Sequence, residues 1–181
     1  MGMASPVFYT AAMVRALPED GNRYETVHGE LLVTPAPRPP HQVVLSRLFL
    51  KLGRYLEEHP IGVVLTSPAD ISWGPDVLVQ PDLFVVPPEE AEAANWSEVK
   101  SLMLVIEILS PTTARHDRFT KRRAYQEARV PLYWLVDIES RSVEVWTPDA
   151  TLPTVKRDRL EWQPPSSQMF ELDLGALFPR R

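Results

Sequence analysis

The chain has no cysteine, which excludes a disulfide framework and any thiolate metal site and accords with a reducing, cytoplasmic setting. Positive charge is in deficit: 19 Lys and Arg against 24 Asp and Glu leave a formal charge of −5. That excludes an electrostatic, sequence-indifferent coat on nucleic acid, although a local basic groove on an acidic body stays open. No apolar run reaches the ~18 residues of a membrane span, and the N-terminus lacks a charged segment leading into an apolar core. A soluble, cytoplasmic protein with no membrane partner is expected. Internal repeats and low-complexity linkers are also missing. With 181 residues and 44% hydrophobic content, one domain with a sizeable core is predicted.

The pattern that is present alternates strands and helices. Thr10 can cap a short helix running to Leu17. Apolar residues on both sides of His28-Gly29 predict a β-hairpin over Arg23 to Thr34, followed by the stiff connector Pro35 to Pro40. Leu45, Leu48, Leu52 and Tyr55 fall at helical spacing from His41 to about His59. Strands are predicted at Gly62 to Thr66 and Asp70 to Trp73, then from Asp82 and over Leu102 to Leu109, with a polar excursion from Pro87 to Lys100. A helix over Arg115 to Ala128 and strands at Leu132 to Asp137 and Val143 to Trp146 follow. Leu160 to Trp162 and Met169 to Leu172 are candidates to pair at an edge. The order is that of an α/β protein with a central mixed sheet, flanking helices and an N-terminal hairpin.

Two acids interrupt this pattern. Glu107 sits inside Leu102-Met103-Leu104-Val105-Ile106-Glu107-Ile108-Leu109, a run that reads as a strand buried on both faces. Asp82 opens Asp82-Leu83-Phe84-Val85-Val86 directly after Pro81. A buried carboxylate is costly unless a cation, a metal or good donors meet it. On the helix after Glu107, Lys121 shares one face with Ala124, Tyr125 and Ala128, and Asp117 lies one turn earlier on that side. Arg118, Arg122 and Arg129 face elsewhere. Two carboxylates and an inward lysine suit one or two Mg²⁺ (or Mn²⁺) ions: Asp82 and Glu107 as ligands, Lys121 positioning the attacking water in phosphodiester hydrolysis.

The same segments resemble a known family. Val79-Gln80-Pro81-Asp82-Leu83, Glu107-Ile108-Leu109-Ser110-Pro111, Asp117 to Tyr125 and Val130 to Asp137 are similar to the Uma2 family of the PD-(D/E)XK nuclease superfamily. The resemblance spans about residues 23 to 147. It implies a restriction-endonuclease-like core there, with 148–181 as a C-terminal extension, a divalent metal and nuclease activity. A textual PD-(D/E)XK motif would place lysine where this chain has Leu109. Within the resemblance, Lys121 supplies the amine from a migrated position.

Four residues are further candidates for the site. Glu30 matches the acidic position of the family's Gly-Glu-Leu segment and is a candidate extra ligand. His41 either caps its helix or enters the pocket beside Asp82 as a ligand or phosphate contact. Asp117 is either a helix-start acid favoured by the macrodipole or a site residue, and Tyr125 either packs or joins the site. Arg118 and Arg122, in a local basic patch, are candidate nucleic-acid contacts against the alternative of a solvated, acid-balanced face. DNA is the favoured partner. The rival function is a catalytically silent DNA- or protein-binding module on the same fold. Long apolar strands, with Trp146 and Trp162 as candidate exposed aromatics, make a homodimer a further expectation.

Overall fold

The structure, a computed structural model, describes residues 7–179. Its centre is a six-stranded mixed sheet in the order β10-β9-β8-β7-β6-β3. These strands are β3 (Val63–Thr66), β6 (Leu83–Val86), β7 (Leu104–Ile108), β8 (Tyr133–Asp137), β9 (Ser142–Trp146) and β10 (Thr154–Lys156). Only β7 and β8 run parallel, and the helical segment between them makes the crossover; every other pairing in the sheet is antiparallel. Residues of β6 and β7 are buried on both faces, as their continuous apolar runs require.

The sequence pattern predicts one mixed sheet, and the chain builds more. The predicted hairpin forms, as β1 (Arg23–Val27) and β2 (Glu30–Thr34). Its turn places His28 and Gly29 at φ of 50° and 81°, the left-handed pair a tight hairpin needs. It extends into a separate four-stranded sheet, β2-β1-β5-β4, through β4 (Ile71–Gly74) and β5 (Val77–Val79). The strand at β5 is too short to stand out from its Gly74-Pro75-Asp76 turn. β11 (Arg159–Trp162) and β12 (Phe170–Asp173) do pair, as a sheet of their own.

Helices cover both faces of the six-stranded sheet. α1 (Ala11–Arg15), capped by the Thr10 side chain, which accepts from Met13 N, packs instead on β1 and β5 of the four-stranded sheet. α2 (Pro39–Glu58) lays Val44, Leu48, Leu52 and Leu56 on one face, against Leu83, Val85, Leu104, Ile106 and Ile108. The opposite face, with Phe84, Val86, Val105 and Leu135, takes Ala124 and Tyr125. The polar excursion folds into α3 (Pro88–Ala91) and a 3₁₀ turn at Trp96–Glu98.

Two sequence readings need correction. The helix after β7 is not uniform: His116–Lys121 is a π-helix, followed by α4 (Arg122–Glu127). Trp146 and Trp162 are buried rather than exposed, because Arg122 lies over the Trp146 ring at 4.5 Å and Trp162 joins the core cluster under α2. The aromatic argument for a homodimer therefore fails. Among the described residues no helix is long and apolar enough to cross a membrane.

Candidate active site

The site forms where the chain passes from one sheet to the other. β5 leaves the four-stranded sheet, Gln80 and Pro81 make the turn, and β6 enters the central sheet. β6 and β7 pair with Leu83 opposite Ile106, so the next position puts Asp82 opposite Glu107. The two acids are tied crosswise: Asp82 N donates to Glu107 Oε2 at 3.4 Å, and Ile108 N donates to Asp82 Oδ2 at 2.9 Å. Alternation along β7 sends Glu107 to the same face as Val105, the face that receives α4.

Lys121 enters that face from the last residue of the π-helix. Its Nζ pairs with Glu107 Oε1, with Glu25 Oε1 at 2.9 Å and, more loosely, with Asp117 Oδ1 at 3.7 Å. Tyr125 OH donates to Glu107 Oε1 at 3.0 Å. The second cation, Arg23, reaches Asp82 Oδ1 at 3.0 Å, and His41 Nε2 lies 3.1 Å from Asp82 Oδ2. Asp82, Glu107, Lys121, Asp117, His41 and Tyr125 are thus brought together.

The remaining sequence candidates lie apart from this cluster. Glu30 is exposed and faces His116 and Thr120, lining a small pocket of its own. Arg118 reaches the rim of the main cleft but is paired with Asp137 at 3.0 Å and Glu144 at 2.7 Å. Arg122 is spent on Trp146, Gln126 and the Arg118 carbonyl.

Arg23 and Glu25 belong to the cluster although no motif marks them. Glu25 is buried, and it accepts from Gln80 N at 2.7 Å as well as from Lys121. The available signal is alternation: an arginine and an acid two apart on a hairpin strand share one face, and that face meets the end of β5.

Burial and mutual repulsion set the protonation of these groups. Burial pushes the Glu107 carboxyl up, Lys121 opposes it, and the nearby Asp82, Asp117 and Glu25 charges leave it well above the usual carboxylate range. Asp117 is raised for the same reason, burial outweighing Lys121. Asp82 goes the other way: burial is outweighed by the His41 bond, the Arg23 charge and the Ile108 N–H, and it titrates below its ordinary value. Burial lowers the Lys121 ammonium, but Glu107, Glu25 and Asp117 more than restore it, so it stays charged. Four carboxylates against Arg23 and Lys121 leave the buried cluster short of positive charge.

That shortage and the carboxylate oxygens would suit a hard divalent cation of the Mg²⁺ type, which keeps several waters. Among the described residues no group of three acidic or histidine side chains is disposed to hold a metal, so the carboxylates of Asp82 and Glu107 would share it with water. A carboxylate offers about four lone-pair sites. Asp82 uses three, on Arg23, His41 and Ile108 N, while Glu107 uses two on Oε1 and one long contact on Oε2. One site each remains, on Asp82 Oδ1 and Glu107 Oε2. Both acids lie at the floor of a cleft of about 1170 Å³.

Comparison with known proteins agrees with the architecture. A crystal structure at 1.96 Å of a "putative nuclease belonging to DUF820" from Anabaena variabilis ATCC 29413 superposes with a TM-score of 0.74. It is 21% identical over 94% of this chain and 97% of that one, a likeness that establishes a shared fold. No curated protein matches. The model of the Uma2 family, described as "Putative restriction endonuclease", matches residues 11–176. The mixed α/β core is restriction-endonuclease-like, and the chain belongs to the Uma2 family.

Proposed function

We propose that this single domain is a divalent-metal-dependent nuclease that hydrolyses nucleic-acid phosphodiester bonds at Asp82 and Glu107. The observation that carries the reading is the crosswise tie between these two acids on neighbouring strands, at the floor of a cleft, inside a cluster short of positive charge. Asp82 and Glu107 would hold Mg²⁺ or Mn²⁺, which would supply Lewis-acid stabilisation of charge on a phosphoryl oxygen.

The chain's own residues do the rest. Arg23 keeps Asp82 ionised, and Tyr125 fixes one oxygen of Glu107. Lys121 holds Glu107 and Glu25 with two of its three N–H donors. Asp117 Oδ1, at 3.7 Å, is beyond hydrogen bonding, which leaves the third donor for a water beside Asp117, itself a residue of the cleft lining. Family membership supports the same reading, since the family carries a nuclease description.

One observation favours the rival, a catalytically silent binding module: Arg23, His41 and Lys121 already occupy oxygens of Asp82 and Glu107 from within. The deciding experiment is a nuclease assay with Mg²⁺ and with Mn²⁺ on plasmid, single-stranded DNA and RNA. It compares wild type with Asp82→Ala, Glu107→Ala and Lys121→Ala, alongside a divalent-metal titration of wild type and Glu107→Ala. Activity in wild type that each substitution abolishes is expected. Activity surviving all three discards the mechanism, and inactivity of every sample together with no metal site lost in Glu107→Ala selects the silent module.

A further inference from the structure

Asp82, Glu107 and Asp117 lie at the cleft floor with only 5%, 2% and 5% of their side-chain surface exposed. A substrate reaches them through this cleft, whose lining draws on residues between Val14 and Tyr24, the proline-rich connector after Thr34, Ser110 to Ala114 and Asp137 to Glu139. The cleft's volume of about 1170 Å³ lies only just above the ~300–1,000 Å³ usual for small-ligand sites. That is room for a few nucleotides of one strand. Duplex phosphates stand on ridges beside grooves roughly 12 and 6 Å wide. Seating such a ridge against buried carboxylates needs a trough open along its length.

The charges limit how much phosphate the cleft can hold. Seven carboxylates line the cleft against four arginines and no lysine. Arg15 is paired with Asp70, Arg23 with Asp82, and Arg118 with Asp137 and Glu144. Only Arg38, exposed at the start of α2, has no acidic partner among the described residues. A duplex and a single strand both draw on Lys and Arg contacts to phosphate. This cleft has one unpaired arginine to give, so its hold on a substrate rests on apolar contact with the bases more than on phosphate. Between the charges, Leu17, Pro18, Pro35, Pro37, Pro68 and Ile138 supply apolar surface, with the Tyr24 ring beside them. Such surface suits a base that has left its stack.

We propose that the substrate of this site is an unpaired strand, a single-stranded end or a flap, whose bases lie on the proline-lined walls while Arg38 takes a phosphate. The inference rests on the nuclease reading of Asp82 and Glu107 and narrows its substrate class.

The test uses one short fluorescein-labelled sequence as single-stranded DNA, single-stranded RNA, a blunt duplex and a duplex carrying a flap. Cleavage is measured with Mg²⁺ and Mn²⁺, and binding by anisotropy in Ca²⁺. Unpaired strand and flap are expected to be cut and bound at least about tenfold better than the blunt duplex. Arg38→Glu should weaken binding of the unpaired strand and flatten its salt dependence by roughly 0.7 in log–log slope, the loss of one phosphate contact. A blunt duplex cut as fast as the flap overturns the substrate inference and leaves the nuclease reading intact. If no substrate is cut, the nuclease reading fails and the binding comparison decides. A tenfold preference for the unpaired strand that depends on Arg38 upholds the inference, and equal or tighter duplex binding overturns it.

Discussion

Glu107 gains a proton more readily in the folded protein than in the unfolded chain, because burial and three neighbouring acids oppose its charge and one lysine does not offset them. The folded state therefore binds more protons than the unfolded state once pH passes the ordinary glutamate value of about 4.5. By linkage the stability this group contributes is complete below that value and is lost as pH rises toward the folded pKa. Asp82 has the opposite sign: its lowered pKa gives stability that is present above the ordinary aspartate range and lost in acid. Urea unfolding in EDTA should show wild type losing stability relative to Glu107→Gln as pH rises through the neutral range, with Mg²⁺ reducing the loss. Parallel pH profiles for the two proteins would contradict this balance of charge. Lys121→Met removes the ammonium shared by Glu25, Glu107 and Asp117 and leaves buried carboxylates uncompensated. A cost of about 3–5 kcal/mol is expected in urea melts at neutral pH.

These residues differ in how far the linear chain exposes them. Glu107 is legible because it breaks an apolar strand, and Lys121 because helical spacing sets it among small and aromatic residues. Arg23 and Glu25 stand in an ordinary polar hairpin, and only the pairing of β1 with β5 delivers them to Asp82. That pairing is a tertiary event, and no local pattern encodes it.

At the scale of the element, the segment from His116 to Lys121 is where local pattern and structure part. The periodicity of Lys121, Ala124, Tyr125 and Ala128 predicts a plain α-helix, and the inward face it defines is the one observed. The wider π turn ahead of it is invisible to that periodicity, because i, i+4 neighbours stay on one side in either helix. What favours the π turn is tertiary: Tyr133 OH, buried on β8, donates to the Asp117 carbonyl at 3.1 Å. π turns are rare and gather at functional sites, and this one carries both Asp117 and Lys121. Tyr133→Phe should cost about 0.5–1.5 kcal/mol for the lost hydrogen bond, and more if the carbonyl stays buried and unpaired. Hydrogen exchange followed by mass spectrometry should show faster exchange over residues 116–122 while α2 keeps its protection. Unchanged exchange in that segment would mean that the tyrosine does not hold the turn.

Across the whole molecule, strand and helix positions follow from hydrophobic period, whereas the partition into three sheets does not. Strands of three to five residues carry too little pattern to say which neighbour each will pair with, so β4 reads as one more strand of the central sheet, and β5 does not read as a strand at all until its partners are known. The same blindness affects the segment after Pro148, which the resemblance over residues 23 to 147 leaves outside the core. In the structure Leu160, Trp162, Phe170, Leu172, Leu174, Leu177 and Phe178 belong to one hydrophobic cluster with Val44, Leu48, Leu52 and Trp134. Trp162 lies against Tyr55 with ring centroids 6.1 Å apart, and Arg47 of α2 donates to the carbonyls of Leu177 and Phe178. α2 thus sits between the central sheet and the C-terminal segment, and it also carries His41 into the site. Trp162→Ala should therefore destabilise the protein by about 3–5 kcal/mol, as for other buried aromatics. A single unfolding transition followed by tryptophan fluorescence and by far-UV circular dichroism would report one cooperative unit. If the substitution produced an early transition of the C-terminal segment with the rest unchanged, that segment would be an appendage and α2 would draw its stability from the central sheet alone.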